Sequence, residues 1–387
     1  MKYNTSAFSA FTLALSICLL GTVSIHLTDP AWTELHIAGI VAGAGIFLII
    51  RSLKWTTLVS IGPHLFAVTL AATLLGMTGT SIYGRHTVME ILCWKFCPAY
   101  FIPAGYVLSL AYGRKKRKGD LFILACTSAA ITAACIILFL LSAKITLFIA
   151  GAVYGLYCHG CRYRKLKTCA VTLACAFIYI LPVLMTERDY ISEITINRLF
   201  NKPAVLTAAS RIQEPIYNNF LDGALIQAGW KLGGLAPLLF IALWILLAAT
   251  FTAAIRRTAN PSARLCAIGC AIALILPTVS NVSHFLIGFP CTKECLSFLS
   301  YGTSLMLASF MLLGIFVNAT DPTPKAIEAK SVGRRTTILR IAGAFLLLIG
   351  LLHAASRPHP PYPKFHEFRP APTTAPSISF IHQKQRE

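Results

Sequence analysis

Long apolar segments, separated by short polar or basic stretches, recur along almost the whole chain. A helix needs about 20 apolar residues to cross a bilayer, and eleven segments approach or reach that length. They run over about 8–27, 34–50, 57–77, 91–112, 121–141, 145–157, 168–185, 232–255, 265–287, 296–317 and 339–353. The pattern predicts an all-α fold, a polytopic membrane helix bundle.

The composition agrees with a membrane protein. Hydrophobic residues make up 56% of the 387 residues and charged residues 12%, against roughly 45–50% and 25% in soluble domains. The net charge of +20 would indicate nucleic-acid binding in a soluble protein. Here most of the basic residues lie in short loops between apolar segments, where they set the topology. We therefore expect no nucleic-acid partner.

The basic loops also predict the orientation of the chain. With the amino terminus in the cytoplasm, the run Arg114 to Lys118 and the basic clusters at 162–167, 256–264 and 325–340 all lie inside. This is the arrangement that the positive-inside rule favours. The longest exterior loop is then 186–231, a size that is usually functional or disordered.

The sequence divides into four predicted regions. Two apolar segments, 145–157 and 339–353, are short for a span, so tilting or an interfacial position is an alternative for each. The tail is rich in proline and lacks apolar periodicity, which favours an extended or disordered segment. The regions are a transmembrane domain at 1–318, a basic cytoplasmic linker at 319–340, an extra hydrophobic segment at 341–356 and the tail at 357–387.

Two groups of cysteines have the spacing or position of possible sites. Cys158 and Cys161 have the spacing of zinc ligands, but a structural zinc site needs four ligands, and no second pair follows nearby. We predict no metal there. Four other cysteines collect at the exterior ends of predicted spans, where disulfides form. Cys93 and Cys97 lie in one region, and Cys291 and Cys295 lie in the other. One disulfide between the two pairs would link these regions.

Several short motifs occur in a fixed order. Asp222 is followed ten residues later by Leu232-Gly233 and then by a long apolar segment ending in Arg256-Arg257. Further on come Asn281-Val282, Pro290, Thr292, Leu296, Phe298, Ser300-Tyr301-Gly302 and Ser304. This part of the chain resembles the last third of the SEDS family, the cell-division and cell-shape proteins FtsW, RodA and SpoVE. Gly84-Arg85 followed by Phe96 and Pro98 is a weaker match to an earlier motif of that family.

The resemblance implies a fold and an activity. It implies ten transmembrane helices with both ends inside, so that 341–356 is an additional C-terminal hydrophobic segment. It also implies a bacterial inner-membrane peptidoglycan glycosyltransferase that polymerises lipid II, a disaccharide-peptide on undecaprenyl pyrophosphate, during division or elongation. The implied protein partners are a monofunctional class B penicillin-binding protein and other divisome or elongasome proteins.

The resemblance further implies roles for single residues. Asp222 matches the essential Asp of the family and is our candidate general base for the sugar hydroxyl. The pyrophosphate needs cations, either side chains or a divalent Mg or Mn ion. The predicted exterior cations are Arg85, Arg198, Lys202, Arg211, Lys231 and Lys293. The other motif residues, expected to be structural or to line a groove, are Gly84, Pro98, Asn281, Pro290, Ser300, Tyr301 and Gly302.

The sequence also departs from the family pattern. Tyr100 and Pro103 stand where the family has a Glu and a Lys, and the stretch 142–146 lacks the Asp of the Q-P-D-L-G-T motif. Asp222 could instead be an acidic residue in the first turn of a helix, where it favours the dipole. Two other functions therefore stay open: a flippase of the lipid-linked precursor, and a catalytically weak scaffold for a transpeptidase.

Overall fold

The computed structural model describes residues 5–28, 30–77, 89–91, 94–115, 235–287, 296–299, 303–321 and 331–356. Within them the chain forms eight α-helices, one short 3-10 helix and two strands of three residues. We label the helices α1 (Thr5–Thr28), α2 (Pro30–Ser52), α3 (Trp55–Met77), α4 (Ile102–Lys115), α5 (Leu235–Arg257), α6 (Pro261–Ile287), α7 (Thr303–Thr320) and α8 (Ser331–Ser356). The predicted spans at 121–141, 145–157 and 168–185, and the tail at 357–387, lie outside the described residues.

Seven of the described helices are long and apolar enough to cross a membrane, all of them except α4. Helix α5, with 23 residues, is about 34 Å long at 1.5 Å per residue, which exceeds the roughly 30 Å of a hydrocarbon core. These seven helices coincide with seven of the predicted apolar segments. The predicted helical membrane bundle is therefore confirmed.

The predicted fourth span, 91–112, begins differently from the prediction. Strands β1 (Met89–Ile91) and β2 (Trp94–Phe96) pair antiparallel, and a 3-10 helix, Pro98–Phe101, precedes α4. The prediction of one continuous helix from residue 91 was wrong, because aromatic and apolar residues suit a short strand pair as well as a helix. The 3-10 helix and α4 together cover about 29 Å.

The predicted tenth span, 296–317, starts later than the apolar pattern suggests. Residues 296–299 form a turn, and α7 begins at Thr303. The turn is fully buried, and hydropathy does not distinguish a buried turn from a helix. The last helix, in contrast, starts earlier than the apolar pattern suggests. Helix α8 starts at Ser331, so the end of the predicted linker at 319–340 is helical and continuous with 341–356.

Helix α7 lies at the centre of the described bundle, since nearly all of its residues are buried. Aromatic side chains connect it to its neighbours: Phe310 packs near Phe11 of α1, and Phe316 against Phe251 of α5, with ring centroids 4.3 Å apart in the second pair. The outer helices instead expose large apolar side chains, such as Ile245 of α5 and Phe345 of α8. Such a pattern is typical of a bundle whose outer surface faces lipid.

Glycines allow two pairs of helices to approach closely. A Cβ atom at Gly62 of α3 would lie 2.6 Å from the backbone of Leu108 in α4. A Cβ atom at Gly343 of α8 would lie 2.7 Å from the carbonyl oxygen of Gly45 in α2. Close packing through small residues is a principal means of association between membrane helices. Helix α8 therefore packs on α2 with close contact between the two backbones.

The contacts between helix ends agree with an alternating topology. At one end, the Arg340 Nε donates to Ser52 Oγ over 3.2 Å, and Asn318 contacts the last turn of α2. At the other end, Gly21 of α1 packs against Leu299. These are the ends that the sequence places in the cytoplasm and outside, respectively. We call the second the exterior end; its absolute side stays a prediction.

Candidate functional site at the exterior end

The two motif regions of the sequence meet at the exterior end. The backbone N–H of Cys97 donates a hydrogen bond to Ser304 Oγ over 3.2 Å. Cys97 precedes the 3-10 helix, in which Pro98 is the first residue. Proline suits this position because its fixed φ fits the helix start and its missing N–H would be unpaired anyway. Ser304 lies in the first turn of α7. Two stretches about 200 residues apart thus share one buried hydrogen bond.

A buried turn leads into α7 and fixes its start. The N–H of Leu299 donates to the carbonyl oxygen of Leu296 over 3.3 Å. Between them Phe298 has φ of 63°, a left-handed conformation that is uncommon for a bulky residue. Its ring packs edge-on against Phe310, at 5.3 Å between centroids, and tilted against Trp244, at 6.1 Å. This packing holds the strained backbone in place.

Helix α1 closes the same turn from the side. A Cβ atom at Gly21 would lie 3.1 Å from Leu299 Cδ1 and 3.2 Å from the Leu299 carbonyl oxygen. A side chain at this position would crowd the turn where α1 passes it. Ser297, Thr303 and Ser304 are all buried around it. Hydroxyl groups thus line an otherwise apolar region directly before and after the Ser-Tyr-Gly motif.

Helix α6 carries a polar segment towards its last turns. Pro277 lies inside the helix, and since proline has no N–H, the carbonyl group of Ala273 lacks its usual partner. The neighbouring Thr278 is buried, and its hydroxyl group has no hydrogen-bond partner. The motif residue Asn281 follows one turn later in α6. Free polar groups in an apolar environment are costly, so this segment is a candidate for contact with water or a ligand.

Two of the departures from the SEDS pattern, Tyr100 and Pro103, lie just before and within the start of α4. Tyr100 is half-buried in the 3-10 helix, and Pro103 is buried in the first turn of α4. Proline is well tolerated in a first helical turn. The substitutions therefore suit the local structure, and from Cys97 to Ser109 the segment carries no charged side chain.

Most of the predicted site residues lie outside the described residues. Of the motif residues, Pro98 is described in full and Asn281 by its backbone. The predicted site residues that lie outside the described residues are Asp222, Arg85, Arg198, Lys202, Arg211, Lys231, Lys293, Gly84, Pro290, Ser300, Tyr301 and Gly302. Cys97 is buried and is not part of a disulfide, and Cys93, Cys291 and Cys295 lie outside the described residues.

One buried polar residue was missed by the sequence reasoning. His36 of α2 is 1% exposed, and neither ring nitrogen has a hydrogen-bond partner. A lone histidine within an apolar segment of spanning length is the signal that would have found it, because ionisable residues inside a membrane are normally functional.

Several solved structures share this fold. A chain of a peptidoglycan synthase complex, described for its structural coordination of polymerization and crosslinking, has a TM-score of 0.66 at 20% identity over 83% of this chain and 98% of that one. The rod shape determining protein RodA of Thermus thermophilus has a TM-score of 0.61 at 18% identity over 83% and 97%. A variant of it with an Asp changed to Ala has a TM-score of 0.62 at 18% identity over 83% and 98%.

No family model and no curated protein matches the sequence. The similarity to RodA extends over nearly the whole of its chain, so it concerns the complete transmembrane architecture and not one helix pair. The chain therefore has the polytopic helical fold of RodA, which is the fold that its resemblance to the SEDS family predicts.

Proposed function

We propose that this protein is a peptidoglycan glycosyltransferase that polymerises lipid II into glycan strands. The observation that carries the proposal is the agreement of two independent signals. The motifs from Asp222 to Ser304 resemble the SEDS family, and the fold is that of RodA over 83% of the chain. One similar structure is described as part of a peptidoglycan synthase complex that coordinates polymerization and crosslinking.

The chemistry assigned to Asp222 follows from the reaction. The oxygen of a sugar hydroxyl forms a bond to the anomeric carbon of the donor, and the bond from that carbon to the pyrophosphate oxygen breaks. The hydroxyl proton passes to the Asp222 carboxylate, which acts as general base. The undecaprenyl pyrophosphate leaves with its two phosphates, whose charge needs cations nearby.

The cations in this proposal are the predicted exterior Arg85, Arg198, Lys202, Arg211, Lys231 and Lys293, with or without a divalent Mg or Mn ion. The positive-inside rule disfavours such residues on the outer side of a membrane. Their presence there is explained by an anionic ligand. Arg85 and Lys293 lie close in sequence to Cys97 and Ser304, which the structure joins by a hydrogen bond.

A catalytically weak scaffold is the second candidate function. It is favoured by Tyr100 and Pro103, which replace a Glu and a Lys of the family pattern at the start of α4. In both functions we propose a monofunctional class B penicillin-binding protein as partner, with other divisome or elongasome proteins. We also propose a location in the bacterial inner membrane, with the amino terminus in the cytoplasm.

Purified full-length protein in liposomes with labelled lipid II separates the candidates. Glycan polymer that forms with the native chain and disappears with Asp222→Asn is the result expected of a glycosyltransferase. Transfer of the label across the bilayer without polymer would support the flippase alternative. A chain that does neither, yet binds a class B penicillin-binding protein, would support the scaffold.

A further inference from the structure

Helix α8 runs antiparallel to α2. Near the cytoplasmic end of the bundle, Arg340 donates hydrogen bonds to the Oγ and the carbonyl oxygen of Ser52, over 3.2 Å and 3.3 Å. Further along α8, a Cβ atom at Gly350 would lie 2.7 Å from the carbonyl oxygen of Ala38. Residue numbers therefore rise along α8 while they fall along α2, so the two helices point in opposite directions.

The second half of α8 reaches the exterior end of the bundle. Leu347 and Leu351 pack on a buried cluster that contains Phe101, the last residue of the 3-10 helix. That 3-10 helix begins beside the hydrogen bond between Cys97 and Ser304, which lies at the exterior end. Helix α8 thus extends from the cytoplasmic end of α2 towards the candidate site.

Helix α8 is long enough to cross the membrane completely. It has 26 residues, which is about 39 Å at 1.5 Å per residue, against about 30 Å for a hydrocarbon core. From Ile341 to Ser356 its sequence contains no Asp, Glu, Lys or Arg. Its last turn is still packed on the bundle, since Ala354 is 1% exposed.

The side chains on the two faces of α8 favour a span over an interfacial position. A helix that lies in the membrane interface carries one strongly polar face. On α8, Gly343 and Gly350 lie against α2, while the exposed side chains include Phe345, Leu348 and Leu352. The exposed face is therefore apolar along the length of the helix, as lipid contact requires.

The charges around α8 give the direction in which it crosses. Five Lys or Arg residues and one Glu lie at 325–340, before its uncharged part. Helix α2 ends beside them, with Arg51 in its last turn and Lys54 just after it. The positive-inside rule places such basic clusters in the cytoplasm. Because α8 starts on that side and crosses once, its last residue Ser356 lies on the other side.

We propose that α8 is an additional transmembrane helix that carries the C-terminal tail, 357–387, to the exterior side of the membrane. The two ends of the chain then lie on opposite sides, whereas the resemblance to the SEDS family implies ten helices with both ends inside. The structural similarity covers 97% of RodA but 83% of this chain, which leaves room for α8 as an addition to that fold.

This topology determines which partners the tail can meet. The tail contains seven Pro residues, and five Lys or Arg residues against two Glu. On the exterior side it is out of reach of cytoplasmic proteins and shares a compartment with the predicted exterior loop at 186–231. The proposal does not depend on the proposed glycosyltransferase function.

Epitope tags in the full-length chain test the proposal. Three separate chains carry the tag before Met1, between Lys325 and Ala326, or after Glu387. Protease is added to intact spheroplasts of the bacterial host and, in parallel, to inside-out membrane vesicles. We expect the tag after Glu387 to be removed in spheroplasts and retained in vesicles. The other two tags are the matched controls and should show the reverse.

A second measurement does not require access for a protease. Alkaline phosphatase is active only when it is exported, so we expect activity when it is fused after Glu387 and none when it is fused before Met1. A tail tag on the same side as the tag at Lys325 would show that α8 does not cross the membrane. A tail in the cytoplasm opposite an exterior tag at Lys325 would show that α8 crosses in the other direction. Either result overturns the proposal.

Discussion

Asn318 Nδ2 donates a hydrogen bond to the carbonyl oxygen of Ile50 over 2.8 Å, across the interface between α7 and α2. The same nitrogen donates to the carbonyl oxygen of Leu53 over 2.9 Å. Helix ends leave their last carbonyl groups without intrahelical partners. One amide at the end of the central helix thus donates two hydrogen bonds to carbonyl groups at the end of its neighbour, and the Ile50 carbonyl also accepts from the Leu53 N–H.

Replacing this amide should weaken the bundle. Asn318→Ala removes both hydrogen bonds to the end of α2, and a hydrogen bond within a protein contributes about 0.5–1.5 kcal/mol net. We expect a clear loss of unfolding free energy in detergent, measured by chemical denaturation. Thr252→Ala is the control, since Thr252 is exposed on α5 and bonds only within its own helix. Equal stability of the two variants would contradict the role of Asn318.

Glycine substitutions should separate tight from loose helix contacts. Gly62→Ala would place a Cβ atom 2.6 Å from the Leu108 backbone, whereas Gly39→Ala would place one 3.4 Å from Met306. Overpacking typically costs about 1–3 kcal/mol, while alanine favours a helix over glycine by about 1 kcal/mol. We expect Gly62→Ala to lower the thermal midpoint and Gly39→Ala to leave it equal or higher. The reverse order would show that α3 and α4 do not pack as described.

The docking of α8 on α2 gives a third prediction. Gly343→Ile would drive a branched side chain into the backbone of Gly45, whereas the adjacent Ala344 is exposed. We expect Gly343→Ile to separate the helices, making a cysteine introduced at Ala42 reactive towards an alkylating reagent. Ala344→Ile should leave that cysteine protected. Protection in both variants would mean that α8 does not cover α2.

The hydrogen bond between Cys97 and Ser304 predicts a coupling of stability and function. Ser304→Ala removes the acceptor of a buried N–H, so we expect a loss of about 1–3 kcal/mol of unfolding free energy. Polymer formation should fall as well, because the two motif regions are no longer tied together. Ser109→Ala is the control, since Ser109 donates within α4. Unchanged stability of Ser304→Ala would show that the hydrogen bond between Cys97 and Ser304 does not stabilise the fold.

The sequence predicted the helices well because bilayer thickness imposes one length on all of them. The segments at 8–27, 34–50 and 265–287 each appear as a helix within a few residues of the expected bounds. Two features escaped this reasoning for the same physical reason. The buried turn at Phe298 is as apolar as a helix, the strand pair before Cys97 adjoins a long apolar segment, and hydropathy reports burial without reporting backbone geometry.

The candidate site was predictable to a smaller extent. The proximity of the region of Pro98 to that of Ser304 agrees with the two motif matches, one early and one late in the chain. The contact between Cys18 and Met306, whose sulfur atoms lie 3.8 Å apart, was not predictable, because it depends on how the helices are rotated about their axes. That rotation is set by packing, through glycines such as Gly39 and aromatic contacts such as Phe298 with Phe310.

The role of Asp222 is the central claim, and one rate tests it most directly. Lipid II polymerisation by the purified chain should be measured for the native protein, for Asp222→Asn and for Asp189→Asn, a change in the same predicted exterior loop. Loss of a general base typically costs about 100- to 10,000-fold in rate, so we expect such a fall for Asp222→Asn and native activity for Asp189→Asn. Polymer formed at the native rate by Asp222→Asn would contradict the account.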